Sequence, residues 1–136
     1  MPGVNDWITK AMGDLRSSRK LIKDDNETLD TAAYHTQQCA EKSLKAFLIF
    51  KGQKVPKTHD LETLLEYCLD HDQTFAQLRN GTEALSSYAT YTRYPDDCFD
   101  IDREEVLDAI KHAESILKFV KEKIEHSEIQ PQLKLF

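Results

Sequence analysis

The stretch LDTAAYHTQQCAEKSLKAFLIFK, residues 29–51, decides the fold. Its apolar residues recur at helical spacing in two stripes: Leu29, Ala33, Ala40, Leu44 and Phe47, and beside them Ala32, Cys39, Ala46, Ile49 and Phe50. A helix at the surface needs one apolar stripe, whereas a helix with two is contacted from more than one side. We therefore predict a central helix over 29–51, with Gly52 as its C-terminal stop.

Four further segments have the periodicity of amphipathic helices, and we predict them at about 5–24, 58–70, 73–92 and 102–126. Thr58 is expected to cap the second of these segments. Asn80-Gly81 marks a bend or break in the third, which ends before Pro95. Asp102 and Glu105 form a capping-box pattern at the start of the last, and Pro131 blocks helix beyond its end near His126.

The connections between these helices are short, which makes consecutive helices antiparallel neighbours. The predicted fold is all-α, an up-down bundle of four long helices plus the short one over 58–70. At 136 residues the chain has the usual size of one domain. The bundle is assigned to residues 1–126, and 127–136 is assigned to a C-terminal tail.

Composition narrows the classes of function. The net charge of −6 argues against a general, sequence-blind nucleic-acid binder but leaves room for a local basic pocket, and no DNA ligand is expected. No apolar run is long enough for a membrane span and the N-terminus has no secretory pattern, so no membrane association is expected. Cys39, Cys68 and Cys98 are odd in number and widely spaced, which is typical of reduced thiols in the cytoplasm.

Two pairs of residues have a spacing that suits metal ligands: His35 with Cys39, and Cys68 with His71. Neither pair has a third ligand nearby in sequence, whereas a structural zinc site takes four. We predict no metal and no cofactor.

A run of lysines, namely Lys42, Lys45, Lys51, Lys54 and Lys57, leads into Thr58-His59 at a predicted helix start. Free amides at a helix N-terminus attract anions, so this end of the bundle is a candidate phosphate site. The alternative is a set of solvated lysines, some of them paired with carboxylates such as Glu41 or Glu62.

Tyr91-Thr92-Arg93-Tyr94-Pro95 places an arginine between two tyrosines where a helix gives way to a loop. The tyrosine rings can stack on a base while the guanidinium binds a phosphate. The alternative is aromatic packing at the end of the bundle, with Arg93 bonded to the last helix carbonyls.

Several segments occur together in order: Trp7 with Asp14-Leu15, then residues 37–46 (QQCAEKSLKA), residues 57–61 (KTHDL) and residues 92–96 (TRYPD). Over residues 5–125 the chain thereby resembles the HEPN family (higher eukaryotes and prokaryotes nucleotide-binding domain). The resemblance implies a helical bundle and a homodimer. It further implies a role in a toxin–antitoxin pair with a nucleotidyltransferase partner.

Many members of that family are metal-independent RNA endonucleases, whose signature is an arginine followed, after four to six residues, by a histidine. Arg93 matches the arginine, but Cys98, Phe99 and Asp100 stand where the histidine belongs. The resemblance thus implies binding of a nucleotide, an RNA or a partner protein. The site residues expected from charge and resemblance together are Arg93, Tyr91, Tyr94, Lys57, His59 and Lys45, with Arg93 the candidate for any catalytic role.

Two alternatives remain open. One is a ribonuclease toxin whose base is His59, His35 or Asp100. The other is a subunit that binds its partner through the apolar seam of the last helix and through an apolar tail, Leu133, Leu135 and Phe136.

Overall fold

The computed structural model describes residues 2–23, 26–89 and 101–133, with side chains through residue 127. Five α-helices make up most of these ranges: α1 (Val4–Leu21), α2 (Leu29–Phe50), α3 (Leu61–His71), α4 (Arg79–Ser86) and α5 (Arg103–Leu133). Short 3-10 helices, Asn26–Thr28 and Gln73–Leu78, precede α2 and α4. The described ranges contain no strand, which confirms the predicted all-α bundle. None of the described helices has the length and apolar character that crossing a membrane requires.

Helix α2 lies at the centre of the bundle, as its two apolar stripes predict. It packs against α1, α3, α4 and α5, with α1 and α5 making the larger contacts. Leu44, Leu48 and Phe47 are almost fully buried. Ser18 on α1 donates a hydrogen bond of 2.8 Å to the Ala32 carbonyl, which links the two helices through a buried polar contact.

The start of α3 differs from the prediction. The helix begins at Leu61, and its cap is Asp60, whose carboxylate accepts from the Thr63 amide at 3.1 Å. Thr58 instead accepts a hydrogen bond from the Asp60 amide at 3.1 Å. Aspartate is among the preferred N-cap residues, and here it satisfies an amide that the helix itself leaves free. The predicted Thr58 cap is therefore wrong.

The predicted long helix over 73–92 is shorter in the described part of the chain. It starts as the 3-10 helix Gln73–Leu78, and only Arg79–Ser86 is α-helical. Phe75 and Leu78 are three residues apart and both buried, a spacing that puts them on one face of a 3-10 helix. The change of helix type precedes Asn80-Gly81, so those residues do not break the helix.

Helix α5 is the longest element. Asp102 caps it by accepting from the Glu105 amide at 2.7 Å, whereas the Glu105 carboxylate accepts from the Tyr88 hydroxyl instead of completing a capping box. The helix continues to Leu133, so the predicted end near His126 is wrong. Pro131 is compatible with this helix because the φ angle of proline lies in the helical range. The one backbone hydrogen bond that it removes lies in the last turn.

The apolar seam of α5 faces the inside of the bundle. Its members are all buried: Val106, Ile110, Ala113, Leu117, Val120 and Ile124. This seam is used by the core of the chain itself, which leaves no basis for a partner that docks along it.

Candidate functional site

The structure separates the predicted site residues into two groups. Arg93, Tyr91 and Tyr94, together with Asp100, lie outside the described residues. Lys45, Lys57 and His59 lie within them, around the loop from α2 to α3.

Lys45 and His59 meet on one buried carboxylate, that of Glu41. Lys45 Nζ donates to Glu41 Oε2 at 3.0 Å, and His59 Nδ1 lies 3.0 Å from the same oxygen. The side chains of Lys45 and Glu41 are only 5% and 4% exposed, whereas that of His59 is 77% exposed. Lys45 is therefore taken up by an internal ion pair, and of the three groups only the imidazole faces solvent.

Gln37 and Trp7 complete the surroundings of this ion pair. Gln37 Nε2 donates to the His59 carbonyl at 3.1 Å and lies 3.5 Å from Glu41 Oε1. The Trp7 ring from α1 lies under Lys45, with Nζ 5.8 Å from the ring centroid, within the range of a cation–π contact. The cluster thus joins α1, α2 and the segment before α3, so it stabilises the bundle.

The start of α3 is the predicted phosphate site, and one of its N–H groups already has a partner within the chain. The Asp60 carboxylate already accepts from the Thr63 amide, where an anion would have to bind. Lys57 is exposed, and Lys45 is buried against Glu41. The structure thus brings Lys45 and His59 together on Glu41, and it leaves Lys57 exposed in the segment before α3.

A second polar cluster lies between α1 and α2. The Asp14 carboxylate is 2.8 Å from His35 Nδ1 and accepts from Lys42 Nζ at 2.6 Å. Burial by itself raises the pKa of Asp14, but the hydrogen bonds from His35 and Lys42 outweigh it and hold the pKa below its ordinary value. Asp14 is therefore an ionised carboxylate held between two donors.

Sequence reasoning did not identify Asp14 as the centre of a cluster. A signal was present, because Asp14 lies between the apolar residues Ala11 and Leu15, on the side of α1 that must be buried. His35 and Lys42 are seven residues apart on α2, so they share one face of that helix. A buried acid on one helix and two basic residues on one face of the next predict such a contact.

The residues with metal-ligand spacing have other partners. His35 faces Asp14, and His71 Nε2 is 2.9 Å from Gln53 Oε1. The thiols of Cys39 and Cys68 are buried and point at the carbonyls of Ala113 and Leu44. Burial raises the pKa of each thiol to about 12. Within the described ranges, no three residues of ligand type come close enough to hold a metal ion.

Together these features define an all-helical bundle braced by two buried carboxylates, each bound to a histidine and a lysine. The model of the HEPN domain matches residues 4–123, and the chain belongs to the HEPN family. The matched range includes both carboxylate clusters and also Arg93.

Relatives of known structure have the same fold. The chain is 28% identical to ST0689, an archaeal HEPN homologue, with a TM-score of 0.72 over 91% of this chain and 99% of that one. It is also 28% identical to TT1696 of Thermus thermophilus, with a TM-score of 0.73 over 90% and 99%. A protein of Methanocaldococcus jannaschii named "Putative toxin MJ1304" is 25% identical over 130 residues, which cover 85% of this chain and 84% of that protein.

Proposed function

We propose that this chain is an RNA-binding HEPN protein that acts as a homodimer in a toxin–antitoxin pair with a nucleotidyltransferase. The observation that carries the proposal is the family match over residues 4–123, which includes Arg93 in the segment TRYPD. The similarity to a protein whose name includes the word toxin supports the same role. Its place of action in this proposal is the cytoplasm.

The proposed ligand contacts are made by Arg93 and the tyrosines on either side of it. A guanidinium binds a phosphate through two parallel hydrogen bonds, and a tyrosine ring stacks on any base. His59 contributes from the α2–α3 segment because its imidazole is exposed, and Lys57 contributes charge. Lys45 is removed from the set, since its ammonium group is buried against Glu41.

The test is RNA binding by the purified protein, measured as fluorescence anisotropy of a labelled single-stranded RNA. We expect Arg93→Gln to weaken binding by about tenfold or more, because one charge-assisted phosphate contact is lost. Arg79→Gln is the matched control: it makes the same change in net charge, and Arg79 already faces Glu62 and Glu66. Absence of binding by the wild-type protein, or an equal effect of both substitutions, contradicts the proposal.

The assembly is tested separately. Light scattering after size exclusion is expected to give about twice the chain mass of 15.7 kDa. Expression of the chain alone is expected to arrest growth. Co-expression with a nucleotidyltransferase encoded beside it is expected to yield a complex of both chains and to relieve that arrest. A chain that is monomeric and does not bind the nucleotidyltransferase would contradict this part of the proposal.

A second candidate function is RNA cleavage without the usual histidine. It is favoured by the Glu41–His59 pair, in which a buried carboxylate orients an exposed imidazole. Such an imidazole can take the proton of a ribose 2′-hydroxyl as that oxygen attacks the neighbouring phosphorus. The 5′-oxygen then leaves with a proton from solvent or from a second group, and a cyclic phosphate remains.

Cleavage is tested in the presence of EDTA, with an RNA and with the same RNA carrying one 2′-deoxynucleotide at the cleavage site. We expect His59→Gln to slow cleavage by roughly a hundredfold or more, as for loss of a general base. His71→Gln is the control, since His71 is also an exposed histidine but lies at the other end of α3. Undiminished cleavage by His59→Gln would assign the activity to another group.

A further inference from the structure

A groove with a volume of about 540 Å³ runs along α1 beside α2. We call it the α1 groove. Four of its lining side chains are cationic: Lys10, Arg16, Lys20 and Lys42. Asp14 is its single lining acid. Such a surplus of positive charge is unusual for this chain, whose net charge is −6.

Three of these cations are available to a ligand. Lys10, Arg16 and Lys20 are exposed, and none of them forms an ion pair with a carboxylate of the described residues. The neighbouring Arg19 is different, because it pairs with Glu114 of α5. The charge of the α1 groove is thus left uncompensated within the described structure.

Asp14 organises the groove, and its negative charge is matched by that of Lys42, with which it pairs. Its carboxylate is held by His35 on one oxygen and by Lys42 on the other. The ion pair fixes the Lys42 ammonium group 2.6 Å from Asp14 Oδ2, at the wall of the groove. His35 on α2 holds the other carboxylate oxygen, with its Nδ1 2.8 Å from Asp14 Oδ1.

The floor of the groove is small and polar. Thr9, Gly13 and Ser17 follow one another at four-residue intervals along α1, so they lie on one side of that helix. A Cβ atom built on Gly13 would meet no atom within 4 Å, which shows that the space above it is open. From Lys10 to Lys20 the helix rises by about 15 Å, a length that spans several phosphates of a nucleic-acid strand.

The lining also indicates which kind of ligand fits. The residues that line the groove include no large apolar side chain, so a folded protein partner would bury little apolar surface there. A chain of evenly spaced phosphates needs cations and hydroxyl groups, and the groove has both. Lysine predominates among the cations, which suits contacts to phosphates without readout of the bases.

We propose that the α1 groove binds the sugar–phosphate backbone of single-stranded RNA. The choice of RNA as ligand rests on the proposed function, whereas the contacts are those of the residues that line the α1 groove. Lys10, Arg16 and Lys20 bind phosphates, and the hydroxyls of Thr9 and Ser17 donate to phosphate or ribose oxygens, while Lys42 stays paired with Asp14 at the wall of the groove. The role of the groove is to align the strand without selecting its sequence.

The test fills the groove at Gly13. Gly13→Glu places a negative side chain over the open floor, and Gly13→Gln places a neutral side chain of the same size there. Both replacements favour the helix relative to glycine, so neither should unfold the protein. With labelled oligouridine we expect Gly13→Glu to weaken binding by about tenfold or more, and by clearly more than Gly13→Gln.

Salt dependence provides the second measurement. A triple substitution of Lys10, Arg16 and Lys20 by glutamine should reduce the slope of log K against log salt by about 2, since each phosphate contact contributes about 0.7 for a single strand. The matched control replaces Lys54, Lys111 and Lys118 by glutamine, with the same change in net charge at positions outside the groove. Equal slopes for both triple variants would overturn the inference.

Arg93→Gln, measured beside these variants, separates the two proposals. If it alone weakens binding, the α1 groove is not an RNA surface, although the proposed function stands. If the groove variants alone weaken binding, the groove inference stands and the site at Arg93 is wrong. Binding of polyglutamate in preference to oligouridine would show that the groove takes an acidic peptide, and would overturn the inference.

Discussion

At the scale of single residues, Lys45 shows how burial changes the role of a charged side chain. In the sequence it belongs to a run of lysines, but in the structure its ammonium group is enclosed with the Glu41 carboxylate. Enclosing both charges removes their hydration, and the mutual attraction offsets that loss only while both are present. A lysine of this kind stabilises the fold and cannot bind a ligand.

We therefore predict strong coupling between Glu41 and Lys45. Lys45→Met removes the buried ammonium group that faces the Glu41 carboxylate and should lower the free energy of unfolding by about 3–5 kcal/mol. The double substitution with Glu41→Met should recover most of that loss, because no buried charge remains. Urea unfolding of the two single variants and the double variant measures the coupling.

The control for these three variants is Arg19→Gln, which breaks an exposed ion pair with Glu114. It should cost less than about 1 kcal/mol. A double Met variant that is no more stable than Lys45→Met would show that the two charges are not coupled as described.

At the scale of elements, two glycines inside helices have opposite surroundings. Gly81 on α4 is buried against α5, and a Cβ atom there would lie 3.3 Å from Ile116 Cδ1 and 3.4 Å from His112 Nδ1. Gly13 on α1 faces open space. Both are helical, so neither is retained for its backbone conformation; Gly81 allows α4 to approach α5 closely.

This difference predicts opposite effects on stability. Gly81→Val should destabilise the protein by about 1–3 kcal/mol, because its methyl groups would push α4 away from Ile116. Gly13→Ala should stabilise it by up to about 1 kcal/mol through helix propensity alone. Thermal unfolding of both variants checks the pair, and a stabilised Gly81→Val would disprove the close approach of the two helices.

At the scale of the whole molecule, the two buried thiols of Cys39 and Cys68 make the free energy of unfolding depend on pH. Each donates weakly to a backbone carbonyl, Cys39 to Ala113 on α5 and Cys68 to Leu44 on α2. Burial raises the pKa of both to about 12, from an ordinary value of 9.0. Between pH 9 and pH 12, the thiols of the folded chain therefore keep protons that those of the unfolded chain release.

Because the folded pKa is the higher one, the contribution of each thiol is fully present below pH 9 and declines as the pH rises from there toward 12. The decline should be roughly 1.4 kcal/mol per pH unit for each thiol. The variant with Cys39→Ala and Cys68→Ala should start from a lower stability but lose less of it between those values. Urea unfolding at a series of alkaline pH values measures this, and parallel curves for the two proteins would rule out the thiols as the cause.

Apolar periodicity along the chain was enough to predict the central helices, and the Asp102 cap of α5 was predictable as well. The two stripes of residues 29–51 predicted the central helix, and the pattern from Val106 to Ile124 predicted the helix that packs against it. Family membership was likewise recognisable, because the motifs that carry it are contiguous. The ion pair between Glu41 and Lys45 could also be predicted, since residues four apart on a helix are neighbours.

Only the tertiary structure decided which charges are partners across helices and which remain free. Asp14 meets His35 and Lys42 because α1 packs against α2, and His59 meets Glu41 because the chain returns across α2 before α3. The Asp60 cap and the 3-10 start before α4 likewise depend on how each segment enters the packed bundle. Local sequence can indicate candidates for such contacts, but the distances follow from how the helices pack. For that reason the same lysine-rich stretch contained both a buried structural residue, Lys45, and a cation at the wall of an open groove, Lys42.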